Sequence, residues 1–439
     1  MRARTMCVMV LLAMVSARAA DAQGFRAGAG REDIQIPSAL YPVQNFTAQH
    51  DPLAVRVLLL DDARTRVGIV VVDLTSMSAQ TIASLKGILE KTGGVRPENA
   101  IVTVSHTFSA PHIFLGGGRG GDDSSAQELE RVVESAMQSA ATKAAATIQP
   151  ARMGVAVGTS MVNVNRDVKM TQGWWLGAND AGYADHALAV LRVDAVDGSP
   201  LAIVMNFAVQ ASVMDESYRE SGGRLVSADL AGAASRYLES HCAGATALFL
   251  VGAAGDQSPY LMSSRHVETR DGRDARADLH EAGFVLLDLL GDRLGSQAQQ
   301  IAEGITTSDR AAFAVERRTI EVTSQNNPRG NNPVRSFTYR PGGPVPMPVV
   351  LMRLGGLVLV GVQPELGAQL GQRIKAGSPF AHTIVVTMVD GGAKYLPDAD
   401  SYDRFTYEAR SAPYARGSGE IAVSRIVEML KQLHDSTWK

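Results

Sequence analysis

The sequence has 439 residues, of which 45% are hydrophobic and 20% are charged, and its formal net charge at pH 7 is −3. This composition is typical of a globular protein with enough apolar residues for one large core or two ordinary ones. A slightly acidic chain without a block of Lys and Arg between aromatic residues argues against nucleic acid as a partner and favours a small-molecule or lipid substrate. The surface charge identifies no protein partner.

The chain begins with MRARTMCVMVLLAMVSARAADAQ, in which two arginines precede an apolar run and Ala-x-Ala sites end at Ala19 and Ala22. The run is too short to span a bilayer, so residues 1–22 are predicted to be an export signal, with a buried first helix as the alternative. Of the two cysteines, only Cys242 lies after this segment, which excludes an internal disulfide in the mature chain. We therefore predict a secreted protein, periplasmic if the source is a Gram-negative bacterium.

Apolar, β-branched runs recur along the rest of the chain. They lie at 66–74, 100–105, 187–194, 201–209, 247–255, 349–362 and 383–391. Several are apolar at successive positions, which predicts strands that are buried on both faces, in a sheet with helices on both sides. Gly355 and Gly356 interrupt the run at 349–362 as a hairpin turn would, so the sheet is predicted to be mixed.

Helical segments are predicted between these strands, where polar and apolar residues alternate at helical spacing. They cover 78–91, 125–148, 228–241, 275–303, 365–376 and 418–434. Residues 325–347 are rich in Asn, Pro and Gly, which predicts an excursion loop inside one domain, because more core strands follow. The predicted fold class is α/β, a layered mixed β-sheet core flanked by helices, with residues 23–439 as a single domain.

Polar residues with catalytic potential follow the apolar runs. They are Asp73, His106, Gln210, Asp256, Ser258, Glu365 and Tyr395. Because the carboxyl ends of strands in α/β sheets converge on one edge, we expect these side chains to meet in one site. Each also has an ordinary structural explanation, such as capping for His106, a simple turn around Ser258, and a helix start at Glu365. Composition and spacing alone do not select a reaction.

Nine segments stand in a fixed order along the chain. They are AGAGREDIQIP (27–37), VVVDLTSMSAQ (70–80), VSHTFSAP (104–111), VNVNRD (162–167), NFAVQASVM (206–214), LVSADLAG (225–232), GAAGDQSP (252–259), GVQPEL (361–366) and KYLPDADSYDRFTYEA (394–409). Together they resemble the amidohydrolase domain of the neutral ceramidases. The resemblance implies hydrolysis of the amide of an N-acylated sphingoid base by a water that one zinc ion activates. The β-sandwich domain that follows in the larger ceramidases is expected to be absent here.

The resemblance also implies roles for individual residues. The positions that correspond to the metal ligands are His106, Glu365, Tyr395 and Gln210. The catalytic candidates that it implies around the substrate are Arg166, Ser258 and Tyr407, and Asp256, which the strand-end pattern supplies, is a further catalytic candidate. Arg and Tyr side chains in such positions would orient the carbonyl group and stabilise its oxyanion.

Two positions depart from the family's pattern. HTFSAP in place of HTHSGP puts Phe108 at a histidine position, and AVQASVM in place of AVHPTSM puts Gln210 at the position of a zinc-binding histidine. An amide oxygen is a poorer zinc ligand than imidazole, because zinc favours nitrogen and sulfur donors. Three outcomes stay open. His112 or Asp215 supplies a replacement ligand, the site takes another divalent cation or holds zinc weakly, or no metal binds.

The substrate is open as well. GDQSP lacks the Gly-x-Ser-x-Gly spacing of a serine nucleophile, so a serine hydrolase is a minor alternative. Two acyl tails would need an apolar groove, for which the candidates are Phe108, Ile113, Phe114, Leu115 and WWL at 174–176. The tryptophans would equally suit a sugar ligand or the core. A lipid substrate would bring peripheral contact with a membrane. The alternatives to ceramide hydrolysis are a relative that binds a lipid or glycan without hydrolysis, and a metal hydrolase with another substrate.

Overall fold

The computed structural model describes residues 24–113, 123–271, 273–327, 330 and 332–436. The predicted export signal lies outside these residues, as do Phe114 and Leu115 of the predicted groove. Across the described ranges, no helix has both the length and the apolar character needed to cross a membrane.

Twenty-one strands and eight α-helices alternate along the described residues. The strands are β1 (Phe25–Ile34), β2 (Phe46–Gln49), β3 (Leu53–Asp61), β4 (Arg66–Val72), β5 (Ala100–Val104), β6 (Gln149–Thr159), β7 (Asn163–Met170), β8 (Gly173–Asn179), β9 (Ala187–Ala195), β10 (Pro200–Phe207), β11 (Arg224–Val226), β12 (Thr246–Val251), β13 (Gln257–Pro259), β14 (Ser264–Glu268), β15 (Asp274–Asp278), β16 (Phe313–Gln325), β17 (Pro341–Leu354), β18 (Leu357–Val362), β19 (Glu365–Leu366), β20 (His382–Val386) and β21 (Tyr395–Leu396). The helices are α1 (Ala79–Gly93), α2 (Asp123–Ala146), α3 (Asp229–His241), α4 (Gly283–Glu303), α5 (Ala368–Gly377), α6 (Ala399–Asp403), α7 (Tyr407–Ser411) and α8 (Ser418–Ser436).

Local signals set several of these boundaries. The side chain of Ser78 accepts a hydrogen bond from the Thr81 N–H and so caps α1, which ends where Gly94 takes a left-handed φ of 67°. The Thr406 hydroxyl accepts a hydrogen bond from the Ala409 N–H and begins α7 in the same way. This second cap fixes the start of the short helix that carries Tyr407.

Two large sheets form the centre of the protein. The larger has the strand order β12-β10-β9-β6-β1-β3-β4-β5, with parallel pairs at its two edges and antiparallel pairs between them. The smaller has the order β16-β17-β18-β20, and its last pair is parallel. Gly355, with a φ of 62°, makes the predicted turn between β17 and β18. The remaining strands form the small sheets β13-β7-β8, β11-β2, β14-β15 and β19-β21.

The two large sheets pack face to face, and helices cover their outer faces. Leu58 and Leu60 of the larger sheet share one core cluster with Met352 and Leu359 of the smaller. Helices α1 and α2 cover one part of the outer face of the larger sheet, α3 and α4 cover another, and α5 and α8 cover the smaller sheet. The layered, mixed α/β fold class is therefore confirmed. The prediction of helices on both sides of one sheet is wrong, because the second apolar face of each sheet is buried by the other sheet.

Two element predictions also need correction. Residues 275–278, at the start of the predicted helix 275–303, belong to strand β15, which pairs with β14 from Ser264 opposite Asp278 to Glu268 opposite Asp274. Helix α4 begins only at Gly283. The predicted loop 325–347 is shorter than expected, because β17 begins at Pro341 and pairs with β16.

Candidate functional site

The predicted site residues come from loops and strand ends that lie together. His106 follows β5 and Gln210 follows β10, and a parallel bridge between Thr107 and Ala211 joins these two loops. Glu365 opens β19 and lies opposite Tyr395, the first residue of β21, in a parallel pair. Four segments far apart in sequence thus meet around the Glu365 carboxylate.

Glu365 is held by two hydrogen bonds to one carboxylate oxygen. Its Oε2 lies 3.0 Å from His106 Nε2 and accepts a hydrogen bond from Gln210 Nε2 at 2.7 Å. His106 Nδ1 lies 2.7 Å from the Thr75 carbonyl oxygen, which orients the imidazole ring. Burial alone would raise the pKa of Glu365, but the charges of His106 and Arg166 outweigh burial and hold it below its usual value. The Glu365 side chain is therefore a carboxylate at neutral pH.

Arg166 connects the other end of Gln210 to Glu408. Its Nη1 donates to Gln210 Oε1 at 2.6 Å, and its Nε donates to Glu408 Oε1 at 2.7 Å. The guanidinium carbon lies 5.2 Å from the centre of the Tyr395 ring and 5.9 Å from that of Tyr407. Burial alone would lower the pKa of Arg166. Tyr395 and Glu408 outweigh burial and raise this pKa well above its usual value, so the side chain stays a cation.

Tyr395, Tyr407 and Trp175 form an aromatic wall beside Arg166. The ring centres of Tyr395 and Tyr407 are 5.7 Å apart, and those of Tyr407 and Trp175 are 5.4 Å apart, both edge to face. Burial raises the pKa of Tyr395 well above its usual value, so the phenol keeps its proton. Trp175 Nε1 and Ser258 Oγ are buried and have no hydrogen-bond partner among the residues that the structure describes. One polar atom of the wall and one of the small sheet that carries Arg166 are thus left to meet a ligand or water.

Ser258 lies on the small sheet that also carries Arg166. It lies opposite Val164 in the antiparallel pair of β13 and β7. Val164 precedes Arg166 by two residues on β7. The Asp256 carboxylate lies between α5 and β7. It accepts hydrogen bonds from the Ala368 N–H at 2.8 Å and from Asn165 Nδ2 at 3.2 Å, and burial raises its pKa to about 6. Asp256 therefore ties the start of α5 to β7 and helps to position Arg166, whose N–H donates to the Asp256 carbonyl oxygen at 2.9 Å.

Asp73 does not join the site, although it also follows an apolar strand. Its Oδ2 forms a buried ion pair with Arg56 Nη1 at 2.8 Å and accepts a hydrogen bond from the Ala54 N–H at 2.9 Å. Arg56 also pairs with Glu239 on α3. This strand end serves the contact between the larger sheet and α3.

Two carboxyl groups that the sequence analysis did not single out also belong to the site. Glu408 follows Tyr407 and binds Arg166, and Asp167 follows Arg166 and lies close to Glu408. Burial, together with the charges of Glu408 and Asp256, raises the pKa of Asp167 well above its usual value. Their adjacency to Arg166 and Tyr407 in the sequence was the signal that could have revealed them.

The side chains around Glu365 do not fit a zinc ion. Gln210 turns its NH₂ group towards Glu365, and an amide NH₂ has no lone pair for a metal. The other end of this amide is held by Arg166, so the amide oxygen is not available to a metal either. In the described ranges, no group of three or more His, Cys, Asp or Glu side chains is arranged to hold a metal ion, so neither His112 nor Asp215 completes a set. Asp215 lies instead 3.5 Å from Arg224 Nη2, and burial raises its pKa to about 6.

Comparison with known proteins places this arrangement in a known fold. Neither a family model nor a curated protein sequence matches the chain. Among solved structures, the neutral ceramidase from Pseudomonas aeruginosa superposes with a TM-score of 0.72 at 19% identity, over 94% of this chain and 75% of that one. A ceramidase complexed with C2 gives 0.73 at 18% identity, over 94% and 76%. The chain therefore has the fold of the neutral ceramidases, which confirms the fold that the resemblance implied.

Proposed function

We propose that this site binds the N-acyl amide group of a lipid-like small molecule and does so without a resident zinc ion. The fold shared with two ceramidases supports an N-acyl amide as the ligand. The observation that carries the proposal is the Gln210 amide, which joins Arg166 to Glu365 at the position where the resemblance requires a zinc ligand. Recognition of the ligand then depends on the hydrogen-bond donors of the chain itself.

Three of these donors suit a carbonyl oxygen. Arg166 offers a buried guanidinium, Tyr395 a neutral hydroxyl, and Ser258 a hydroxyl that has no other partner in the described part of the chain. A ligand carbonyl that accepts from a cationic donor gains more than one that accepts from a neutral donor. Trp175 and Tyr407 would contact the acyl chain next to it. Export from the cell, and peripheral contact with a membrane that holds the ligand, belong to the same proposal.

A second candidate function is the metal-dependent amidohydrolase that the resemblance implies, acting on ceramide or on another N-acyl substrate. One observation favours it. His106, Glu365 and Tyr395 correspond to three of the four zinc ligands, and His106 Nε2 and Glu365 Oε2 remain 3.0 Å apart. The fourth position offers an NH₂ group, so no step through zinc or another divalent cation follows from these residues.

A binding assay and a hydrolysis assay on the same protein distinguish the two candidates. We would titrate the mature chain with a short-chain N-acyl sphingoid amide, follow tryptophan fluorescence, and measure released fatty acid with and without added zinc. We expect saturable binding and no release. Arg166→Gln should weaken binding by at least about tenfold, because a charge-assisted hydrogen bond is lost, whereas Arg293→Gln on the exposed side of α4 should not. Release of fatty acid would establish the second candidate, and absence of binding would refute the proposed ligand.

A further inference from the structure

The oxygen and the nitrogen of the Gln210 side-chain amide both form hydrogen bonds at this site. Its Oε1 accepts from Arg166 at 2.6 Å and its Nε2 donates to Glu365 at 2.7 Å, and the residue is 1% exposed. In the reversed orientation, the amide NH₂ would face the guanidinium donors and the amide oxygen would face the carboxylate. Two unfavourable contacts between buried polar groups would replace two hydrogen bonds, so the partners fix the orientation of the amide.

The Glu365 carboxylate already has partners at this site. Glu365 is a buried carboxylate, and a buried charge needs a partner. His106 meets this carboxylate directly, and Arg166 meets it through Gln210. A divalent cation that entered would have to displace the Gln210 amide and would lie near the Arg166 guanidinium. The loss of the two hydrogen bonds of that amide opposes its binding.

From this arrangement we infer that Gln210, held in place by Arg166 and Glu365, excludes a divalent cation from the site. Zinc binding at this site of the protein therefore depends on which side chain is present at residue 210. Gln210→His would remove the bridge to Arg166 and add an imidazole next to His106 and Glu365. The variant should gain a zinc site that the natural chain lacks.

Zinc binding tests this inference without any organic ligand, so its failure can be told apart from failure of the proposed function. We would remove metals with a chelator, titrate each protein with zinc chloride in a calorimeter, and confirm the metal content by elemental analysis. Gln210→His should bind about one zinc per chain, at least about 100-fold more tightly than the natural protein. The double variant Gln210→His with Glu365→Gln should lose that site.

The control variant is Gln300→His, which adds an imidazole to the exposed side of α4 and should bind zinc no better than the natural protein. Circular dichroism of every variant verifies that it is folded. Stoichiometric zinc in the natural protein that disappears in Glu365→Gln would overturn the inference, and this result does not depend on how Gln210→His folds. A folded Gln210→His that gains no zinc would also overturn it, because exclusion of the cation would then not depend on Gln210.

Discussion

Asp167 and Glu408 are two neighbouring buried carboxyl groups, and they lead to a prediction at the scale of single residues. The Glu408 carboxylate binds Arg166, and the Asp167 carboxyl group is buried close to Glu408. Because burial and negative neighbours raise the pKa of Asp167, the folded chain holds a proton that the unfolded chain releases above about pH 4. The stability that comes from this proton is present at low pH and is lost as the pH rises through the folded pKa.

Asp167→Asn keeps an uncharged hydrogen-bonding side chain at this position and cannot ionise. Its free energy of unfolding should therefore increase relative to that of the natural protein between pH 5 and pH 8, as measured by urea denaturation at each pH. Asp288→Asn, at an exposed position of α4, is the control and should show no such trend. A difference between Asp167→Asn and the natural protein that stays constant across this range would show that Asp167 is ionised in the folded state.

Some contacts of the site could be predicted from the sequence, and others could not. His106, Gln210 and Glu365 were expected to meet because each follows an apolar strand, and both His106 and Gln210 contact Glu365. The bond from Arg166 to Gln210 was not expected. The two residues are 44 positions apart, with Arg166 on β7 and Gln210 in the loop after β10 of another sheet, so their contact depends on how those sheets are placed. No local pattern in the sequence encodes that distance.

At the scale of elements, close packing of α2 on β1 depends on two glycines. A Cβ atom added at Gly28 would lie 2.2 Å from the Ala144 carbonyl oxygen, and one at Gly30 would lie 2.2 Å from that of Ala140. These contacts are with helix backbone, which cannot rotate away as a side chain can. The segment AGAGREDIQIP, noted in the sequence for its resemblance, is therefore also a packing requirement of this fold.

Gly30→Ala should lower the free energy of unfolding by about 1–3 kcal/mol, because the helix must move away from the strand to admit the methyl group. Gly87→Ala is the matched control. Gly87 lies inside α1 with open space around its Cα, and the same substitution there should stabilise by about 0.5–1 kcal/mol. Urea denaturation of both variants measures the two effects. Equal stability of Gly30→Ala and the natural protein would mean that α2 is packed less closely than described.

Strand directions explain why the elements were predicted better than their assembly. The site was expected where parallel strands end together, but β5 and β10 have opposite directions in the strand order of the larger sheet. They are six positions apart, and a twist of about 20–25° per strand accumulates to roughly 120–150°. The loops that follow these two strands nevertheless meet at the bridge between Thr107 and Ala211. Accumulated twist cannot be read from the sequence of any single strand.

For the whole molecule, the sequence did not determine whether a helix or a second sheet covers each strand. A run such as 349–362 is apolar at successive positions whether a helix or a second sheet lies over it. The structure shows one face of each large sheet against helices and the other against the opposite sheet. If the two sheets belonged to separate domains, the shared apolar faces would be exposed to water in each of them. The prediction of a single domain therefore amounts to a prediction of cooperative unfolding.

Leu359→Ala tests that cooperativity. Leu359 lies in β18, is fully buried, and belongs to the core cluster between the two sheets. Its truncation should lower the free energy of unfolding by about 2–5 kcal/mol, because apolar contacts are lost and a cavity remains. In a single domain, circular dichroism and tryptophan fluorescence should report one shared transition, shifted equally for both probes. Leu289→Ala, at a side chain that is 63% exposed on α4, should leave the transition almost unchanged. Two transitions, of which Leu359→Ala shifts only one, would show that the sheets unfold as independent units.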